Sequence, residues 1–154
     1  MVNLLEKLDF TENELISAAL QICEDRALKS DYITSPKATT EYLKLKLANY
    51  ENEAFLAIWL DSRHGVIECQ QLFTGTIDGA SVYPRVVVKA GLTLNAAAVI
   101  FCHNHPSGSP EPSPADIRIT ERLKASLALI DIRVLDHIIV GGANHVSLAE
   151  RGQI

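Results

Sequence analysis

The chain has 154 residues, of which 47% are hydrophobic and 21% charged, as expected of one globular domain. Its net charge of −5 argues against an extended phosphate-binding face, because nucleic-acid binders usually carry a basic patch. Its three cysteines are scattered and odd in number, which fits reduced thiols in a cytoplasm better than a disulfide framework.

The N-terminal segment, residues 1–34, predicts an accessory helix. Thr11 and Glu14 have the spacing of a capping box. There is no basic stretch followed by an apolar one, and no apolar run approaches membrane-spanning length. We therefore expect a cytoplasmic protein without membrane contact. The expected apolar stripe of the helix consists of Leu15, Ala19, Ile22 and Cys23.

The next segments predict a second helix and then a strand. Ser35 and Pro36 begin the helix, which runs to about Asn49. From Glu53 the pattern changes, and residues 55–60 are apolar on both alternating sets, which indicates a central strand covered on both faces. The expected buried face of the helix is Tyr42, Leu45 and Ala48.

A hairpin and a third helix follow. Residues 61–65 predict a turn, in which His64 is interpreted as a solvated residue rather than a metal ligand. The second strand runs from Val66 to about Phe73, and residues 75–80 form a loop. A helix then begins near Pro84 and closes at Asn95.

Residues 96–116 are the most informative part of the sequence. Residues 96–102 form a short apolar run that predicts a buried strand. His103 and His105 follow it and share one face if the strand persists. Asp116 arrives after a loop that its prolines stiffen. Two imidazoles and one carboxylate are typical of a catalytic zinc site. The loop prolines are Pro106, Pro110, Pro112 and Pro114.

A simpler interpretation uses some of the same residues. Ser113, Pro114 and Asp116 fit the N-cap, first and third positions of a helix, so Asp116 could serve the helix alone. The two interpretations are compatible. Strand alternation aims Cys102 into the core, away from a ligand position, and also turns Asn104 off the metal face, where we expect little chemical consequence.

The C-terminal third predicts a helix and two strands. The helix carries Ile117, Leu123 and Leu127 on one face and charges on the other. Residues 132–140 predict a strand, and residues 146–148 a short final one. Asp136 and His137 lie on the longer strand, where they either orient a metal-bound histidine or form a self-satisfied buried pair. Helices interleaved with a largely buried sheet predict an α/β fold.

The histidine stretch resembles the signature of the JAMM (MPN-plus) metalloproteases. Seven residues separate His105 from Ser113, and Asp116 follows three positions later. The fuller resemblance, over about residues 35–154, is to the RadC-like branch of this JAB/MPN family. It is carried by residues 81–85, 94–98, 103–113, 136–137 and 149–152. It implies a single domain with a mixed sheet flanked by helices, similar to the cytidine deaminase-like core.

The resemblance also implies roles. His103, His105 and Asp116 would ligate one zinc ion per chain, and Ser113 would donate a hydrogen bond to the oxyanion. A glutamate on an early strand would be the general base. The resemblance favours Glu53, while strand parity alone does not separate it from Glu51, and Glu68 is a further rival.

The resulting hypothesis is a zinc-dependent hydrolase that attacks a peptide or isopeptide bond in a protein or peptide substrate. Two alternatives belong to other classes. One is a DNA-repair or mobile-element accessory factor acting on nucleic acid, which the acidic balance disfavours. The other is a non-catalytic scaffold for protein interaction. RadC-like proteins are expected to carry a longer N-terminal helical region with a helix-hairpin-helix motif, for which this chain looks too short. The sequence indicates neither a particular substrate nor an oligomeric state.

Overall fold

A computed structural model describes residues 11–28, 36–47, 50–75 and 81–154. Within these ranges the chain forms four helices and five strands in alternating groups. In chain order they are α1 (Glu12–Leu28), α2 (Pro36–Leu47), β1 (Ala54–Leu60), β2 (Val66–Thr74), α3 (Pro84–Thr93), β3 (Ala98–Asn104), α4 (Pro114–Ala128), β4 (Arg133–Gly141) and β5 (Asn144–Ser147).

The strands form one mixed sheet in the order β2-β1-β3-β4-β5. β1 is antiparallel to both of its neighbours, whereas β3 and β4 are parallel and are joined through α4. A crossover helix is the usual link between parallel strands, because a tight turn reverses the chain direction and makes the next strand antiparallel. The predicted α/β fold with a mixed sheet flanked by helices is confirmed.

Every residue of β1 and β3 is buried, so the predicted central strand is covered on both faces. Alternate residues of these strands enter two separate apolar clusters, as the period of two requires. The first cluster packs under α2 and includes Tyr42, Leu43, Leu56, Ile58, Ile100 and Cys102. The second packs under α3 and α4 and includes Phe55, Trp59, Val87, Phe101, Leu123 and Leu127.

An irregularity in β4 changes which of its side chains face α4. Val99 pairs with Val134, but Ile100 pairs with Asp136, so Leu135 is an extra residue on the β4 side. Such a bulge reverses the alternation beyond it. As a result His137 pairs with Phe101 and lies on the α4 side of the sheet.

The N-terminal helix is only partly as predicted. Its capping box is present, with Thr11 N donating to Glu14 Oε2 at 2.8 Å and Glu14 N donating to Thr11 Oγ1 at 3.3 Å. The expected apolar stripe is wrong at Leu15 and Ile22, which are 39% and 52% exposed, because α1 packs on α2 rather than on the sheet. No helix in the described part of the chain has the length and apolarity needed to cross a membrane.

Other differences concern boundaries and one buried face. β3 begins and ends two residues later than predicted, so it includes His103. In α2 the buried residues are Thr39, Tyr42, Leu43 and Leu47, with Leu45 only half-buried, while Ala48 and the loop 76–80 lie outside the described residues. The predicted close of α3 is confirmed, since Asn95 has a φ of 50°.

Candidate metal centre

The two histidines lie at the end of β3, beside the N-terminus of β1. His103 is the last β3 residue paired with β1, opposite Phe55. The backbone N of His105 still donates to Val140 O at 2.8 Å, so the extended conformation persists for two more residues. Both rings therefore emerge on the α4 face of the sheet. Their Nε2 atoms are 3.0 Å apart.

Asp116 reaches the same point from the first turn of α4. Ser113 is the N-cap and Pro114 follows it, as predicted, and a full capping box fixes the Asp116 side chain. Asp116 Oδ2 accepts from Ser113 N at 2.7 Å. Its Oδ1 lies 3.3 Å from His103 Nε2 and its Oδ2 lies 3.4 Å from His105 Nε2. Asp116 thus takes part in the α4 cap and lies close to both histidines at the same time.

The partner of the other ring nitrogen sets the proton position on His105. Its Nδ1 lies 2.8 Å from the carbonyl oxygen of Ser109. A carbonyl can only accept a hydrogen bond, so Nδ1 carries the proton and donates it. In the neutral ring Nε2 is therefore an unprotonated nitrogen, and its lone pair points at Asp116 and His103.

A buried chain of hydrogen bonds sets the proton on His103 in the same way. Thr120 Oγ1 donates to Asp116 O at 2.6 Å and must therefore accept from His137 Nδ1, also at 2.6 Å. His137 Nε2, now without a proton, accepts from His103 Nδ1 at 2.8 Å. Burial keeps the pKa of His137 well below its usual value, which holds this ring neutral. His103 Nε2 is left as a lone pair.

When both rings are neutral, two imidazole lone pairs therefore face the carboxylate of Asp116, and protonation of either ring would create a hydrogen bond to that carboxylate. Burial alone would raise the pKa of Asp116, but its interaction with His103 and His105 outweighs burial and holds that pKa well below its usual range. The carboxyl group is therefore ionised. This arrangement favours a cation, either a proton on an imidazole or a metal ion, and these three residues could hold a metal ion, with ligand atoms all within 4.8 Å of one another. Two nitrogens and one oxygen with further positions open suit a catalytic divalent ion.

Glu53 lies directly before β1, beside this cluster. Because Phe55 pairs with His103, the next positions on the same face of the two strands are Glu53 and His105. The pKa of His105 is raised, chiefly by its hydrogen bond to Asp116 and also by the negative charge of Glu53. Glu53 is half-buried, so its side chain keeps access to solvent.

The rival glutamates are placed differently. Glu51 is exposed in the bend that precedes β1. Glu68 lies on β2 opposite Trp59, six residues along β1 from Glu53, which is about 20 Å at the rise of a strand. The register of the sheet therefore brings Glu53, and not Glu68, to the histidines.

Asp136 and His137 make different contacts on opposite sides of the sheet. His137 contacts His103, as one prediction proposed, because the β4 bulge turns it toward α4. Asp136 lies on the opposite side, where it accepts from the backbone N of His137 at 2.7 Å, from Ser147 Oγ at 2.7 Å and from Ala149 N at 3.0 Å. Asp136 thus ties β4 to β5 and to the turn beyond it.

Two other sequence expectations concern residues outside the ligand set. Cys102 is buried in the cluster under α2 as predicted, and all three cysteines are free. His64 is a turn residue with a φ of 66°, and its Nε2 contacts the Arg133 guanidinium at 3.2 Å. Thr120 was not singled out from the sequence. Its spacing of four residues from Asp116 on a helix was the available signal, since that spacing places both residues on one face.

The loop between His105 and Ser113 is held at two points. A Cβ on Gly141 would clash with Pro110 N and with the Ser109 carbonyl carbon, so only glycine allows β4 to pack this closely on the loop. Arg151 donates two hydrogen bonds to Glu111, at 2.6 and 2.9 Å. These contacts fix the path that carries the Ser109 carbonyl to His105.

Comparison with known proteins gives a consistent result. A family model described as a RadC-like JAB domain matches residues 33–153. A UPF0758 protein of Vibrio cholerae serotype O1 is 55% identical over 141 residues, which cover 92% of this chain and 89% of that protein. A UPF0758 protein of Nitrosococcus oceani is 57% identical over 129 residues, which cover 84% of this chain but 58% of that longer protein.

Proposed function

The chain belongs to the family of RadC-like JAB domain proteins, and on this premise we propose that it is a metal-dependent hydrolase of peptide or isopeptide bonds. The observation that carries the proposal is the convergence of two unprotonated imidazole nitrogens and an ionised carboxylate. His103, His105 and Asp116 would hold one divalent cation per chain, with zinc the preferred ion. When bound, such a cation supplies Lewis acidity toward a water molecule and a substrate carbonyl.

Glu53 would act as the general base. It lies next to His105 when the register of β1 and β3 is extended, its negative charge acts on His105, and its half-buried position leaves room for water and substrate. It would take the proton from the attacking water and deliver it to the leaving amine, so that one group serves both proton transfers. General acid–base catalysis of this kind contributes about 10²–10⁴-fold to rate.

Ser113 would stabilise charge on the substrate oxygen. Its Oγ already accepts from Asp116 N at 3.2 Å, which orients the side chain and leaves the hydroxyl hydrogen available. That hydrogen can be donated to the carbonyl oxygen as negative charge develops on it. The same hydroxyl therefore caps α4 and serves the reaction.

The experiment that tests this function is peptide cleavage in H₂¹⁸O by the zinc-reconstituted protein. The probe is a pool of tryptic peptides together with a branched peptide that contains a lysine isopeptide bond. Each hydrolysis places one ¹⁸O atom in a new carboxyl group, which mass spectrometry detects. The wild type is expected to generate labelled products, and chelation should stop it.

The matched variants are Glu53→Gln and Glu51→Gln. Glu53→Gln should keep its zinc yet cleave at least about 100-fold more slowly, because it removes the base and no ligand. Glu51→Gln changes an exposed carboxylate two positions away and should leave the rate unchanged. Wild-type rates in Glu53→Gln would show that another group is the base. A zinc-loaded wild type that cleaves no probe would contradict the hydrolase proposal.

A further inference from the structure

Asn104 is a buried residue that faces away from the candidate ligands, and its side chain contacts the segment that carries Glu53. Asn104 Oδ1 accepts from Ala54 N at 2.8 Å. Asn104 Nδ2 donates to Asn52 O at 3.1 Å. These two backbone groups lie on either side of Glu53, so one carboxamide holds the chain both before and after it.

These two hydrogen bonds extend the pairing of β1 and β3 beyond its last backbone pair. Backbone pairing between β1 and β3 ends at Phe55 and His103. A carboxamide offers one acceptor and donors in the same geometry as a peptide group, so it can continue the ladder where the backbones separate. The carbonyl of Glu53 itself accepts from Gly75 N at 2.7 Å. The backbone around Glu53 is therefore fixed on both sides.

We infer that Asn104 is a positioning residue that sets the distance between the Glu53 carboxylate and the metal ligands. Asn104 lies between His103 and His105 on the same short stretch of chain. The hydrogen bonds from Asn104 to residues 52 and 54 therefore fix the backbone of Glu53 relative to the two histidines. A small displacement of a catalytic group lowers the reaction rate, so the anchoring of the Glu53 backbone by Asn104 should affect turnover. The inference rests on the proposed function for its effect on turnover, and on geometry alone for the fastening.

The first test measures, without any substrate, whether Asn104 protects the Ala54 amide through its hydrogen bond. Amide hydrogen exchange by NMR is compared in the wild type, Asn104→Ala and Cys102→Ala. Asn104→Ala should raise exchange of the Ala54 amide by about 10-fold or more, because its acceptor is removed. Cys102→Ala alters the same face of β3 within the apolar core, and should leave Ala54 as in the wild type.

The second measurement separates positioning from metal binding. Zinc affinity, measured by chelator competition, should change by less than about 3-fold in Asn104→Ala, because His103, His105 and Asp116 keep their own partners. Turnover of the ¹⁸O peptide probe should fall about 10-fold or more in kcat with KM unchanged. The double variant with Glu53→Gln should be no slower than Glu53→Gln alone, since the two residues act on one step.

Three outcomes would overturn the inference: unchanged exchange at Ala54, loss of zinc together with loss of turnover, or additive effects in the double variant. If Asn104→Ala does not fold, Asn104→Leu carries the same measurements, because leucine is close to asparagine in size and offers neither the acceptor for Ala54 N nor the donor for Asn52 O. If the wild type cleaves no probe, the hydrolase proposal fails separately. The exchange experiment then decides by itself whether Asn104 fastens this segment.

Discussion

At the scale of single residues, proton positions in the centre are determined by groups that have only one possible role. The carbonyls of Ser109 and Asp116 can only accept, and each leads to a defined tautomer of one histidine. A ligating imidazole is commonly oriented by such a partner on its second nitrogen. His103 differs in that its partner is a second histidine, which Thr120 orients in turn.

Thr120→Val tests this chain of contacts. Valine has the same shape but neither accepts from His137 nor donates to Asp116 O, so the tautomer of His137 is no longer fixed. We expect zinc affinity to fall about 10–100-fold while the protein remains folded. Chelator competition measures the affinity. Thr93→Val is the matched control, because Thr93 Oγ1 makes the same type of bond to Lys89 O, at 2.9 Å, at an exposed position of α3. Equal affinities in Thr120→Val and the wild type would contradict the assigned chain.

How far the site could be predicted depends on the range of each contact. His103, His105, Ser113 and Asp116 lie within fourteen residues, and strand and capping rules bring them together from sequence alone. His137 required the β4 bulge, which has no clear sequence signature and inverts the expected alternation. From the sequence we expected Asn104 to have little chemical consequence, because strand alternation points its side chain away from the metal face. The segment that Asn104 contacts is about fifty residues away in the chain.

At the scale of secondary-structure elements, the close packing of β4 on the proline-rich loop is the critical contact. Gly141→Ala would press a methyl group against the Ser109–Pro110 backbone, which cannot move like the end of a side chain. We expect a loss of about 1–3 kcal/mol in the free energy of unfolding, with weaker zinc binding because the Ser109 carbonyl is displaced.

Gly108→Ala is the control for this prediction. Gly108 has a φ of 83° and open space around its Cβ position, so alanine there introduces backbone strain without a clash. It should cost about 1 kcal/mol and spare zinc affinity. Urea unfolding and chelator competition measure the two quantities. If both variants lose zinc affinity equally, the contact of Gly141 with the loop does not position His105.

At the scale of the whole molecule, the sheet and its two apolar clusters form a core to which α1 adds little. α1 packs on α2, Cys23 lies at the margin of one cluster, and Glu24 Oε1 is 3.4 Å from the Tyr42 hydroxyl. The division at residue 34 therefore predicts that residues 35–154 fold without the N-terminal segment. Thermal unfolding should stay cooperative, with Tm lowered by about 10 °C at most, and zinc affinity should be unchanged. Loss of a cooperative transition would show that α1 is part of the folding unit.

If His103, His105 and Asp116 form a metal site, elemental mass spectrometry of the purified protein should detect the ion that they hold. Three proteins are compared after zinc reconstitution and dialysis: the wild type, Asp116→Asn, and Asp131→Asn, in which an exposed carboxylate after α4 is neutralised. We expect about one zinc per chain in the wild type and in Asp131→Asn, and almost none in Asp116→Asn. A wild type without zinc, or an Asp116→Asn variant that keeps it, would show that these three residues do not form the metal site.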